Sequence, residues 1–200
     1  MDWRLKIFDI KISILLLVAI TMSCGKPQPR TVYLQPFSDF TPNQTENIRK
    51  ELVKIYSDVK ILPSIPFPEN SLNEAKTRHR ADSLIKFLDS QTPDNAMTIG
   101  LTNKDISTTK GDHKDWGVMG LGYCPGKACI ASTFRLKKEK RTEQLFKVAI
   151  HELGHTEGLR HCPEKSCFMR DAKGKNTKDE EKEFCVKCKA TLVAAGWMLR

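Results

Sequence analysis

The sequence predicts an α+β fold in one domain, a mixed, twisted sheet carrying helices. Three observations predict it. The 200 residues are 40 % hydrophobic and 28 % charged, enough to bury one core. Helical and extended periodicities alternate along the first hundred residues, then several short extended pieces precede a last strongly periodic helix. No internal repeat or long low-complexity segment interrupts that order.

The elements follow in sequence. "TVYLQPF" (31–37) reads as a strand. "PNQTENIRKELVKIYSD" places Ile48, Leu52, Ile55 and Tyr56 at helical spacing, with Thr41 as cap and Pro42 in the first turn. "VKILPSIPF" is extended and limited by its prolines. "SLNEAKTRHRADSLIKFLDS" (71–90) reads as one long amphipathic helix, with Ala81, Leu84, Ile85 and Leu88 on one face and His79 on the surface. "AMTIGLT" (96–102) is a buried strand, and 103–117 a polar loop with a solvated His113. "WGVMGLGY" and "CIASTFRL" are two strands joined by the turn "CPGKA". A helix from about Thr142, its cap, to Gly158 carries Leu145, Phe146, Ala149, Ile150 and Leu153 inward.

The first 24 residues stand apart. Arg4, Lys6 and Lys11 precede an apolar run from Ile12 to Ile20, too short for a membrane span, and then Ser23 and Cys24. That is the order of a secretory signal. Its end resembles a bacterial lipobox, in which Cys24 is lipidated and becomes the new N-terminus. Thr21 stands where that pattern has leucine, and an ordinary cleaved signal, leaving a secreted or periplasmic protein, is the alternative. Residues 25–30 read as a tether and 31–200 as one domain. The expected setting is the cell envelope, with a lipid as the membrane contact. The net charge is +9, but the basic residues are scattered, with one tight run at Lys137, Lys138, Lys140 and Arg141. No nucleic-acid motif accompanies them, so nucleic acid is not the expected partner.

The chemistry concentrates in "HELGHTEGLRHC" (151–162), which holds three of the five histidines. His151 and His155 are four apart, one turn above the other on a helix face, and can grip one zinc ion. Glu152 lies between them as the candidate base toward a water at that metal. Gly158 can end the helix at positive φ, so that the chain swings back with His161 as third ligand. Three protein ligands leave a fourth position open, the arrangement of a catalytic zinc site. This extended pattern marks the metzincin metallopeptidases. Cys162 and Cys167, followed by Cys185 and Cys188, have the shape of a four-cysteine zinc site, and Met169 is placed to be the Met-turn.

From His151 to Cys188 the chain resembles the archaemetzincins, whose signature joins the metzincin motif to a cysteine directly after the third histidine, a second cysteine, the methionine and a closing CxxC. The insert between Met169 and Cys185 is shorter than the family's usual one. "GLTNKDI" and "PGKACIASTFRL" are also similar to that family. The resemblance implies a two-lobed metzincin-like domain, with an upper lobe to about residue 157 and a lower lobe from 158 holding the Met-turn and C-terminal helix. It implies a zinc peptidase acting on peptides or proteins, with two zinc ions, one catalytic and one structural at Cys162, Cys167, Cys185 and Cys188; a monomer is the expected state. It also implies that "CIASTFRL" is the cleft's edge strand, pairing with extended substrate. The family's usual setting is cytoplasmic, so an exported member departs from it. In an exported protein Cys124 and Cys129, flanking "PGKA", could form a disulfide, or stay two buried thiols. A zinc-binding domain without turnover and a zinc amidase acting on non-protein amides are the rival functions.

Overall fold

Strand β4 (Ala96–Thr102) is buried at every residue, and the layers are built on either side of it. The computed structural model describes residues 29–199. The signal segment, Cys24 and residues 25–28 of the expected tether lie outside the described residues. Arg30 is fastened down: its guanidinium donates to the carbonyls of Gly126 (2.7 Å) and Thr156 (3.0 Å) and pairs with Glu157 (2.8 Å).

Strand β1 (Thr31–Pro36), helix α1 (Pro42–Leu52) and strand β2 (Val59–Ile61) open the domain. The Thr41 hydroxyl accepts from the Gln44 amide and the Gln44 side chain accepts from the Thr41 amide, so the expected cap is a reciprocal capping box with Pro42 in the first turn. Strand β3 (His79–Arg80), helix α2 (Ala81–Gln91) and β4 follow. Then come β5 (Ile106–Lys110), β6 (His113–Val118), β7 (Gly120–Gly122) and β8 (Ala128–Ser132). Helices α3 (Arg141–Thr156) and α4 (Val186–Ala194) close the chain.

The main sheet has the order β2-β1-β4-β8-β7, parallel except for the antiparallel β7 at its edge. Side chains alternate across it. Leu34, Ile99, Leu101 and Ala131 meet Ile48 and Leu52 of α1 and Leu145, Val148 and Leu153 of α3. Ala128 and Ile130 join Leu84, Ile85 and Leu88 of α2 on the other face. The first core continues through Leu159, Met169, Phe184, Leu192 and Trp197, so the segment after α3 packs on the same layer. The α+β expectation, a mixed sheet carrying helices, holds. Among the described residues no helix is long and apolar enough to cross a membrane.

Five local expectations are corrected. The helix expected over 71–90 begins only at Ala81. Upstream, the Asn73 side chain accepts from the amides of Thr77 and Arg78, capturing the backbone in a turn, with Lys76 at φ 54°. His79 is half-buried, stacked on Phe67 (4.0 Å) with Nδ1 2.8 Å from the Ser71 hydroxyl; it is neither a solvated surface residue nor near the other histidines. The polar loop expected over 103–117 is a hairpin, β5 against β6, turned at Gly111 (φ 56°) with β3 added to it; His113 is exposed, as expected. Thr142 is not a cap: α3 starts at Arg141 after a 3-10 turn over Lys138–Lys140, where the Gln144 side chain accepts from the Lys137 amide. Finally, "CIASTFRL" is not the edge: β8 lies between β4 and β7, and the edge strand is Gly120–Gly122.

Candidate active site

The last turns of α3 bring the histidines to one wall of a cleft. His151 and His155 stand one turn apart with their Nε2 atoms 3.2 Å from each other. Gly158, at φ 89°, ends the helix, and Leu159 donates back to the Gly154 carbonyl. The reversal delivers His161, whose ring centre lies 5.4 Å from that of His151 and 4.9 Å from that of His155. One nitrogen from each of the three lies within 4.8 Å of the others. A tetrahedral zinc with Zn–N of about 2.0–2.1 Å spaces its nitrogen ligands about 3.3 Å apart, so the donor set fits that ion.

Two backbone carbonyls prepare the ligands. His151 Nδ1 donates to Phe168 O and His155 Nδ1 to Leu159 O, each at 2.6 Å. With the proton fixed on Nδ1, the Nε2 lone pair is left for a metal. Burial lowers the pKa of both imidazoles and keeps them neutral, the form that ligates.

Glu152 turns from the same helix toward β7. Burial pushes its carboxyl up to about 8, opposed by the positive charge of Lys178. The strand passes so close that a Cβ on Gly120 would sit 2.6 Å from Glu152 Oε1, and one on Gly122 2.8 Å from the Glu152 carbonyl oxygen. Glycine is required at both positions by this approach. Beneath the helix, a Cβ on Gly154 would meet Met169 Sδ at 2.6 Å. The expected Met-turn therefore lies directly under the turn between the two helical histidines.

The four late cysteines form a second cluster, with their sulfurs within 4.8 Å of one another. Cys162 Sγ and Cys185 Sγ are 3.7 Å apart, whereas sulfurs on a tetrahedral zinc at about 2.3 Å are about 3.8 Å apart and a disulfide is about 2.05 Å long. The amides of Met169 and Cys185 both donate to Cys167 Sγ, offsetting part of the burial that pushes its thiol pKa up. These four residues fit a zinc ion as well.

Residues 38–194 match peptidase family M54. The chain belongs to that family. The archaemetzincin of Archaeoglobus fulgidus is 30 % identical over 132 residues, covering 64 % of this chain and 77 % of that protein. The archaemetzincin of Halobacterium salinarum is 27 % identical over 177 residues, covering 80 % and 98 %. Among solved structures, that of the Archaeoglobus fulgidus archaemetzincin complexed with malonate superposes with a TM-score of 0.69 at 28 % identity, covering 80 % of this chain and 99 % of that one. The Methanopyrus kandleri archaemetzincin gives 0.70 at 23 %, covering 88 % and 99 %. M54 is a family of zinc metallopeptidases, and the chain is a zinc metallopeptidase of the archaemetzincin type.

The M54 cleft has a volume of about 950 Å³. Its upper rim is β7 and the β5–β6 hairpin, and its lower rim the segment 171–178. The structure gathers His151, His155, His161 and Glu152 in it, and sets Met169 and the four cysteines behind them. Cys124 and Cys129 are not joined: both are free, the first exposed with its thiol on Leu159 O (3.3 Å), the second fully buried. In the ladder Cys129 stands opposite Gly122, not Cys124, which accounts for the missing bridge. Sequence reasoning did not find Gly120, the carbonyls of Phe168 and Leu159, or Lys178. The last is a buried cation on the cleft wall, paired with Glu181 at 2.9 Å, and Lys147 donates to its carbonyl. Only "GVMGLG", with its three spaced glycines, carried a signal: glycine inside a strand marks a close approach.

Proposed function

We propose that the cleft hydrolyses peptide bonds with Glu152 as the proton carrier. His151, His155 and His161 would hold the catalytic zinc, and Cys162, Cys167, Cys185 and Cys188 a structural one. The catalytic ion supplies Lewis-acid polarisation of the scissile carbonyl and acidifies a water beside it. The chain's residues do the rest. Glu152, in a desolvated slot against Gly120, accepts the water's proton and passes it to the leaving amine. Its pKa near neutrality suits both directions of that transfer, and a cation held by the histidines draws it down further into range. β7, the exposed edge of the sheet, offers unpaired backbone groups along which an extended peptide can lie. The monomeric state and the export of the protein, with a lipid on Cys24 as membrane anchor, belong to the same reading.

The observation that carries the proposal is the convergence of three metal-ready imidazoles with Glu152 on one wall of an open cleft. The test is a cleavage-site survey on a mixed peptide library, with Glu152→Ala as the blank and metal content measured beside it. Glu152→Ala is expected to abolish turnover and keep both metals, while His155→Ala loses the catalytic one. Residual turnover in Glu152→Ala would refute the proton-carrier role. Products containing no cleaved peptide, from any library, would favour an amidase or a binding protein. Fatty-acid labelling that disappears in Cys24→Ala checks the anchor; an unlipidated N-terminus beyond Cys24 would remove it.

A further inference from the structure

The cleft carries a charge imbalance that peptide hydrolysis does not itself require. Two of its wall cations are already paired: Arg135 grips Asp105 with two bonds of 2.9 Å, and Lys178 pairs with Glu181. Four others, Lys110, Arg160, Lys173 and Lys175, are exposed on the wall, and among the described residues none of them makes an ion pair. The acids on the wall are Glu152, which is buried, and Asp171, which lies close enough to His161, Lys110 and Lys173 to interact with them electrostatically. One carboxylate outside the slot of Glu152 thus shares the wall with four cations outside ion-pair distance, and acts on two of them, Lys110 and Lys173.

Their placement is not that of a scattered basic surface. Arg160 precedes His161 on the turn that closes the histidine set. Lys173 and Lys175 lie in the segment that follows the Met-turn, and Lys110 ends β5 in the hairpin above them. Trp116 spans the gap between these two rims: Lys110 Nζ lies 5.1 Å from its ring centre, and its indole packs on Gly174. The cations therefore stand on both rims of the cleft, around an aromatic surface.

We propose that this cleft selects acidic peptides, substrates that carry carboxylates beside the scissile bond. The inference rests on the peptidase reading above. Any one exposed ion pair is weak, but several like charges lining a walled cleft act together and concentrate anions. Asp171 offsets part of the charge of Lys110 and Lys173, and the wall keeps an excess of exposed cations that attracts a substrate carboxylate and not a neutral peptide. A free C-terminal carboxylate offers the same chemistry as a Glu or Asp side chain, so the experiment must separate them.

The test measures binding apart from turnover. Zinc-loaded Glu152→Ala is titrated with fluorescent peptides that differ only in Glu, Gln or Lys at the flanking positions, each with a free and an amidated C-terminus. The Glu peptides are expected to bind about tenfold or more tighter than the Gln peptides, as a focused field predicts. The margin should collapse near 1 M salt, where screening acts over about 3 Å. Lys173→Gln with Lys175→Gln, and Lys110→Gln with Arg160→Gln, should each remove part of the margin. Loss of the margin on amidation assigns it to a C-terminal carboxylate, and its persistence to side chains. Equal affinity for the Glu and Gln peptides would overturn the proposal, as would a single-stranded oligonucleotide competing as well as the Glu peptide. Turnover by the wild type separates the two readings. Cleavage without charge preference defeats this proposal alone, and charge-selective binding without cleavage of any peptide defeats the peptidase reading alone.

Discussion

Gly120→Ala tests the claim that β7 holds Glu152 in place. The new Cβ would lie 2.6 Å from Glu152 Oε1, 2.7 Å from its Cγ and 2.8 Å from Val148 Cγ1, where ordinary contact begins at 3.4 Å. The nearest overlap is thus 0.8 Å, and the Glu152 side chain must move off its place to relieve it. A displacement near 1 Å of a reacting group costs about 100-fold in rate, equivalent to about 2.7 kcal/mol. The stability cost should be near the low end of the about 1–3 kcal/mol typical of overpacking, because a side-chain end can move. For a domain of this size that is a fall in Tm of about 2–4 °C.

The companion variant Gly122→Ala reverses the balance. Its Cβ would meet the Glu152 carbonyl oxygen at 2.8 Å, and a helix backbone cannot turn aside. It should lose more stability than Gly120→Ala and, at equal folded fraction, less kcat. The assay is kcat and KM on one quenched peptide, with thermal melting and zinc content measured on the same preparations. If Gly120→Ala keeps its zinc and stays within threefold of wild-type kcat/KM, the positioning argument is wrong.

Four further outcomes follow from the structure. Cys185→Ser should cut zinc from two ions toward one and lower Tm, and native mass spectrometry of the unreduced wild type should find no disulfide at either pair; one zinc with a disulfide would refute the second site. A thiol reagent should label Cys124 at once and Cys129 only on unfolding, since the first is exposed and the second fully buried; equal labelling rates would contradict this. Lys178→Met should destabilise by about 3–5 kcal/mol, because Glu181 is left charged and buried, and adding Glu181→Leu should restore most of that in denaturant unfolding. Tyr56, buried and donating to Arg30 O, has its phenol pKa pushed from 10 to about 12, chiefly by burial and then by Glu157. The folded state thus holds that proton more tightly than the unfolded one, so its contribution is intact below pH 10 and lost as pH rises toward 12. Tyr56→Phe should flatten that part of the pH–stability curve, and an unchanged curve would refute the assignment.

What was legible in the sequence was local. Thr41, Pro42 and Gln44 announce a helix start because the capping bonds join residues three apart. His151, Glu152, His155, Gly158 and His161 announce a metal site because a helix and one reversal fix their relative places. What failed was decided at long range. Nothing near Asn73 says that Arg78 will pair with Asp105 and Asp115, which draws the chain out of a helix and into β3. Polar Ser107 and Thr108 looked like loop, yet they are small or β-branched and pair across to Gly117 and Trp116, continuing the ladder that Ile106 begins with Val118. The edge of the sheet was misplaced for a related reason: β7 is three residues long, two of them glycine, and a strand recognised by its side chains is hard to see when it has so few.

The two clusters are best understood as one device. The segment Cys162–Met169 is held at both ends: the Cys162 amide donates to the Met169 carbonyl, and Cys167 accepts from the amides of Met169 and Cys185. Phe168, inside that loop, supplies the carbonyl that fixes His151, and Cys162 adjoins His161 directly. Met169 then fills the space under Gly154, in the turn that joins His151 to His155. His151 is thus oriented by backbone of this loop, which Cys167 holds through two amides, while His155 is oriented by Leu159 O at the end of its own helix. This is why a cysteine stands against the third histidine: the cysteine cluster holds the loop whose Phe168 carbonyl aims His151.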